Sequence, residues 1–166
     1  MSNNLINMEY EVARNDFATA GDASSNIKKI LVQLGINPQI VRRTAIVTYE
    51  AEMNLVIHSI GGKIFVNISP KEIEIIAEDK GPGIEDIDLV MQEGYSTASN
   101  DIRELGFGAG MGLPNMKKFC DKFDIASEIN KGTTVNMKIY NILLRQKHLL
   151  TFRQQVRYLD HLCHAT

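Results

Sequence analysis

No tryptophan occurs among the 166 residues, and cysteine (two) and proline (four) are scarce. The cysteines, Cys120 and Cys163, stand far apart, which gives neither a metal-ligand spacing nor a disulfide framework. No apolar run approaches the ~20 residues needed to cross a bilayer, so a membrane is not an expected partner. Met1-Ser2-Asn3-Asn4 lacks the basic and apolar stretches of a secretion signal, and the expected location is the cytoplasm. Neither sign of charge is in excess: 18 Lys+Arg stand against 20 Asp+Glu, for a formal charge of -2. With no surplus of cations to displace counterions, nucleic acid is not an expected partner either.

What is present is an ordinary globular composition, 44% hydrophobic, of a length suited to one domain. Met8, Tyr10 and Val12 alternate with Glu9 and Glu11 as in a half-buried strand. A helix follows, with Asp22 or Ser24 as its expected cap, Ile27, Ile30, Leu31 and Leu34 on one face, and Gly35 at its end. A longer helix opens with Asn37 as cap and Pro38 in its first turn, runs to about His58, and stops at Gly61-Gly62. Ile64, Val66 and Ile68, then Ile73, Ile75 and Ala77, predict an antiparallel hairpin turned by Ser69-Pro70-Lys71. Residues 79–112 carry many glycines and little apolar periodicity, and a loop of that length inside a compact domain is usually functional or disordered. Leu113 to Lys122 predicts a third helix, with Cys120 on its buried side. A second hairpin follows, Phe123, Ile125, Ser127 and Ile129 returning as Thr133, Val135, Met137 and Ile139. The order fits an α+β two-layer sandwich, a mixed and mostly antiparallel sheet with helices on one face.

Three polar features stand out, and each has a plainer reading when taken alone. Glu50, Asn54 and His58 recur every four residues and so form one stripe on the long helix, whose other face is apolar through Val41, Ala45 and Leu55. A carboxylate one turn from an amide oxygen suits a base beside a magnesium ligand; it also suits a merely solvated face. Asp79-Lys80-Gly81-Pro82-Gly83-Ile84 closes an apolar strand. A short carboxylate there can accept from the exocyclic amine of a base while glycine lets backbone come close, but the same residues also make a plain turn. Gly106-Phe107-Gly108-Ala109-Gly110-Met111-Gly112 opens the third helix, where free N–H groups and the helix dipole suit phosphate; a flexible hinge reads the same way. No Lys-Ser/Thr follows these glycines, so this is not a Walker loop.

Taken in order, Glu-x-x-x-Asn, Asp-x-Gly-x-Gly, the glycine-alternating loop and Gly132-Thr133-Thr134 resemble the ATP-binding superfamily of gyrase, heat-shock chaperones, sensor histidine kinases and mismatch-repair ATPases. The resemblance covers about Glu9 to Tyr140. Gly94-Tyr95-Ser96-Thr97 and the run from Gly112 to Phe123 are similar to the bacterial anti-sigma-factor and switch-type serine/threonine kinases. The resemblance implies ATP and Mg²⁺ as ligands, Glu50 as general base, and Asn54 as the magnesium ligand. It implies Asp79 at the adenine amine, with Gly83 allowing close approach and Thr133 supporting the base. Gly106, Gly108, Gly110, Met111, Gly112 and Leu113 would wrap the phosphates, while His58, Gly81 and Ile84 would border the nucleotide. Arg103, just before the glycines, becomes a candidate for the terminal phosphate.

The implied activity is transfer of the γ-phosphate to a Ser or Thr of a small antagonist protein, and/or binding of a sigma factor or another regulator. The competing reading is a non-catalytic switch, in which ATP occupancy only alters partner binding. A homodimer is left open by the sequence. Residues 1–140 form the expected ATP-binding domain. Residues 141–166, with Arg145, Lys147, Arg153 and Arg157 against Asp160, and Leu149, Phe152, Val156, Leu159 and Cys163 at helical spacing, form an expected amphipathic extension.

Overall fold

In the computed structural model, residues 5–141 are described; the expected extension lies outside them. Strand β1 (Ile6–Val12) leads to helices α1 (Asp22–Gln33) and α2 (Pro38–His58), and strands β2 (Gly62–Ile68) and β3 (Glu72–Asp79) follow. Short helices α3 (Ile87–Val90) and α4 (Asn100–Glu104) precede α5 (Gly112–Phe119), β4 (Lys122–Glu128) and β5 (Gly132–Tyr140). The five strands lie in the order β1-β2-β3-β5-β4. Every pairing is antiparallel, where the sequence led us to expect a mixed sheet.

Period-two patterning puts one row of each strand inside. Val66 lies opposite Ile75, which lies opposite Met137; Ile68, Ile73 and Ile139 repeat the row, and all six are fully buried. Ile27 and Leu31 of α1, Val47, Ala51 and Leu55 of α2, and Met116 of α5 cover this face. Thr44 and Thr48, also buried, satisfy their hydroxyls on the carbonyls one turn back, those of Ile40 and Thr44.

Asn37 caps α2 as expected, its Oδ1 accepting from the Gln39 N–H at 2.9 Å. At the other end, the Ser59 hydroxyl donates to the Leu55 carbonyl and accepts from the Gly61 N–H, which stops α2 beside the cleft. The cap expected on α1 is different. Neither Asp22 nor Ser24 serves; Gly21 occupies the cap position without a side chain, and Glu52 of α2 supplies the acceptor. Its two carboxylate oxygens take the N–H groups of Ala23 and Ser24, at 3.3 and 3.4 Å. α5 also ends earlier than Lys122. The N–H of Asp121 donates to the Lys138 carbonyl and the Asp121 carboxylate accepts from the Tyr140 N–H, so sheet pairing takes over from the helix there. Cys120 therefore sits past the helix end, half-buried, and burial pushes its thiol pKa up.

Candidate functional site

The long glycine-rich segment folds over the C-terminal half of α2, and between them lies a cleft of about 1180 Å³. Sequence reasoning anticipated one stripe on α2, and Glu50, Asn54 and His58 all line this cleft. Glu50 and Asn54 are half-buried, while His58, at the helix end, is exposed with its Nδ1 3.2 Å from the Thr97 hydroxyl.

Asp79 ends β3 on the cleft floor beside Ala77 and Val135. The Gly81 N–H donates to its Oδ1 at 2.6 Å, and the Thr133 N–H also donates to this carboxylate. Burial nevertheless dominates and holds the Asp79 carboxyl above its ordinary range. Gly81 itself does not line the cleft; its part is the amide that orients Asp79. Gly83 and Ile84 do line it. The need for glycine at 83 comes from the protein as well as from any ligand: φ is +76°, and a methyl group would strike the Glu128 carbonyl. Ser127, unanticipated from the sequence, completes this floor. Its hydroxyl accepts from the Ile84 N–H and lies 2.8 Å from the Thr133 hydroxyl. A serine at an inward position of an alternating strand was the available signal.

Opposite lie Gly106, Gly108, Gly110, Met111, Gly112 and Leu113, all in the lining. Gly106, Gly108 and Gly110 have φ between +72° and +88°, so the loop reverses repeatedly and runs into α5. Phe107 in this loop stacks on Phe17 from the β1–α1 connection, centroids 5.3 Å apart, which ties the loop to the body. Gly112 starts α5 so close to α2 that a methyl group would sit 2.8 Å from Asn54 Oδ1. Three residues on, Asn115 donates from Nδ2 to Glu50 Oε1 at 2.7 Å, a contact that sequence reasoning missed.

Arg103 is placed differently from expectation. Its guanidinium donates to the carbonyls of Ser96 and Ala98 and does not line the cleft. Loop carbonyls five and seven residues away take its planar fork, and in this structure Arg103 braces the loop.

Among the described residues no cluster of three or more His, Cys, Asp or Glu could hold a metal ion. A hard amide oxygen at Asn54 beside the Glu50 carboxylate still fits a magnesium ion that takes its remaining ligands from phosphates and water. The arrangement thus offers a carboxylate for a base amine at one end, glycine amides for phosphates at the other, and a carboxylate beside them.

A family model described as "Histidine kinase-, DNA gyrase B-, and HSP90-like ATPase" matches residues 40–141. The chain belongs to that family. Its fold and its ATP-binding capacity follow from membership, and its kin within the family are kinases and anti-sigma factors. It is 32% identical to "Serine/threonine-protein kinase RsbT" of Bacillus subtilis over 124 residues, 72% of this chain and 85% of that one. It is 33% identical to "Anti-sigma F factor" of Clostridium botulinum over 150 residues, 86% of this chain and 99% of that one. A solved structure of "Mycobacterial sensor histidine kinase MprB" aligns at TM-score 0.48 and 15% identity, covering 81% of this chain and 97% of the other. No helix among the described residues is long and apolar enough to cross a membrane.

Proposed function

We propose that this chain is an ATP- and Mg²⁺-dependent serine/threonine kinase of the anti-sigma type. It phosphorylates a small antagonist protein and also binds a sigma factor in the cytoplasm. The kinship with RsbT and the anti-sigma F factors supports the class. One observation carries the site assignment: Glu50, Asn54 and Asp79 all line one cleft with the glycine loop across from them.

In this reading Asp79 accepts from the adenine amine, while the N–H groups of Gly108, Gly110 and Gly112 hold phosphate oxygens. Asn54 would be the protein ligand of a magnesium ion, which when bound would supply charge to offset that developing on the phosphates. Glu50 takes the proton from the acceptor hydroxyl, the freed oxygen bonds to the γ-phosphorus, and the bond to the β–γ bridging oxygen breaks, releasing ADP. Little covalent work falls to the protein beyond alignment and proton removal. Arg103 keeps the loop in shape rather than touching the terminal phosphate.

The test is incubation with γ-labelled ATP, Mg²⁺ and proteins captured from the native cell by the ATP-loaded chain. Acid-stable phosphate on a captured protein, lost with Glu50→Gln, is the expected result. ATP-dependent capture with no transfer would make the chain a switch only, and acid-labile phosphate would place the acceptor on histidine.

A further inference from the structure

Glu50 has one hydrogen-bond partner among the described residues, and it comes from the helix that follows the glycine loop. The amide can face the carboxylate only through Nδ2, since its oxygen would meet like charge, and the donation at 2.7 Å engages Oε1 alone. Asn115 is in turn held firmly. Its own N–H bonds to the Met111 carbonyl at 2.8 Å, and the next residue, Met116, is 1% exposed in the core.

We infer that Asn115 is a positioning residue for phosphoryl transfer: it fixes one oxygen of Glu50 so that the other is presented to the acceptor hydroxyl. A glutamate has three rotatable bonds, and a carboxylate free to sweep the cleft spends little time in line with an incoming hydroxyl. A single bond to Oε1 removes that freedom and leaves Oε2 open. The donor is neutral, so it orients the base without placing a cation beside it, as lysine or arginine would at this position. The bond also joins the loop to the chemistry. α5 begins at Gly112 as the loop ends, so a shift of the loop that tilts the first turn of α5 moves Asn115 and the carboxylate with it. Gly112 against Asn54 makes the same turn the meeting point for both polar residues of α2.

This inference rests on Glu50 being the base, so the experiment carries Glu50→Gln alongside. Turnover, read as label passed from γ-labelled ATP to the captured acceptor protein, and affinity for ATP with Mg²⁺ are measured for Asn115→Ala and Asn115→Asp. Loss of one hydrogen bond to a carboxylate predicts turnover about ten-fold lower for Asn115→Ala, with affinity within about two-fold of the parent. Asn115→Asp keeps the shape but sets a second carboxylate against the first, so its turnover falls below that of Asn115→Ala. A packing role predicts the reverse order, because the isostere then does better than the truncation. Should Asn115→Asp fail to fold, Asn115→Ser, a hydroxyl donor on a shorter arm, is expected between the parent and Asn115→Ala. Unchanged turnover in Asn115→Ala, or an equal loss of affinity and turnover, overturns the inference while leaving Glu50 as base. Unchanged turnover in Glu50→Gln overturns that underlying reading itself.

Discussion

Two carboxylates stand two residues apart on α2 and have opposite fates. Glu50 faces the cleft half-buried, with one oxygen engaged by Asn115. Glu52 is 3% exposed, and both of its oxygens are taken by backbone amides of α1. Glu52 replaces the missing side-chain cap of α1 and locks two helices together, as the positive end of a helix favours. It has neither access nor a spare oxygen for chemistry. The same side chain on the same helix is thus committed to the fold in one place and left available in the other. What separates them is which way the helical phase points each one and what packs there.

The comparison breaks most decisively if Glu50 can be removed without consequence. Glu50→Gln should lower phosphoryl transfer by ~10²–10⁴, the worth of a positioned general base, with ATP affinity nearly unchanged. Transfer at the parental rate would end the assignment. Glu52→Ala should act on stability instead, costing about 1–3 kcal/mol by leaving buried amides without an acceptor. Chemical denaturation reads that loss, and the specific activity of the folded fraction should not change.

Asp79 sharpens the contrast, being part structural and part cleft-facing. Asp79→Asn should weaken ADP binding by roughly ten- to hundred-fold, the range of a hydrogen bond to a charged group, as read by calorimetry. Its effect on the empty protein runs the other way. Because burial raises the Asp79 pKa in the folded state, ionisation costs stability. That cost is absent below the unfolded pKa and fully present above the folded one. The stability of Asp79→Asn relative to the parent should therefore rise as the pH climbs from the ordinary carboxylate range, about 4, through the raised folded pKa. A fall over that interval would contradict the burial argument.

The smallest effect belongs to Gly112→Ala. The atoms nearest the added methyl are the end of the Asn54 side chain, which can give way, so folding should change by less than about 0.5 kcal/mol. The displaced amide should raise the Mg²⁺ concentration for half-maximal turnover, and a magnesium titration unaltered from the parent would remove Asn54 from the metal's surroundings.

Much of this was legible in the chain. The stripe of Glu50, Asn54 and His58 could be read because the helical period alone puts residues four apart on one face. The two hairpins could be read because alternation and turn residues are local signals. The α1 cap was not, because its acceptor lies 28 and 29 residues from the amides it serves. Asn115 was missed for the same reason, its partner being 65 residues away. Arg103 was visible as a cation near the loop, but its direction is set by two carbonyls whose positions depend on how the loop folds. Local periodicity locates elements and faces, whereas polar pairing across elements needs the packed molecule.

The most direct test of the central claim is single-turnover transfer from γ-labelled ATP with Mg²⁺ to the captured acceptor protein by Glu50→Gln and Glu52→Gln, compared with the parent at equal nucleotide occupancy. A collapse in the first variant and a near-parental rate in the second is the predicted result. Parental chemistry in Glu50→Gln, or an equal collapse in both, would contradict the division of labour along α2.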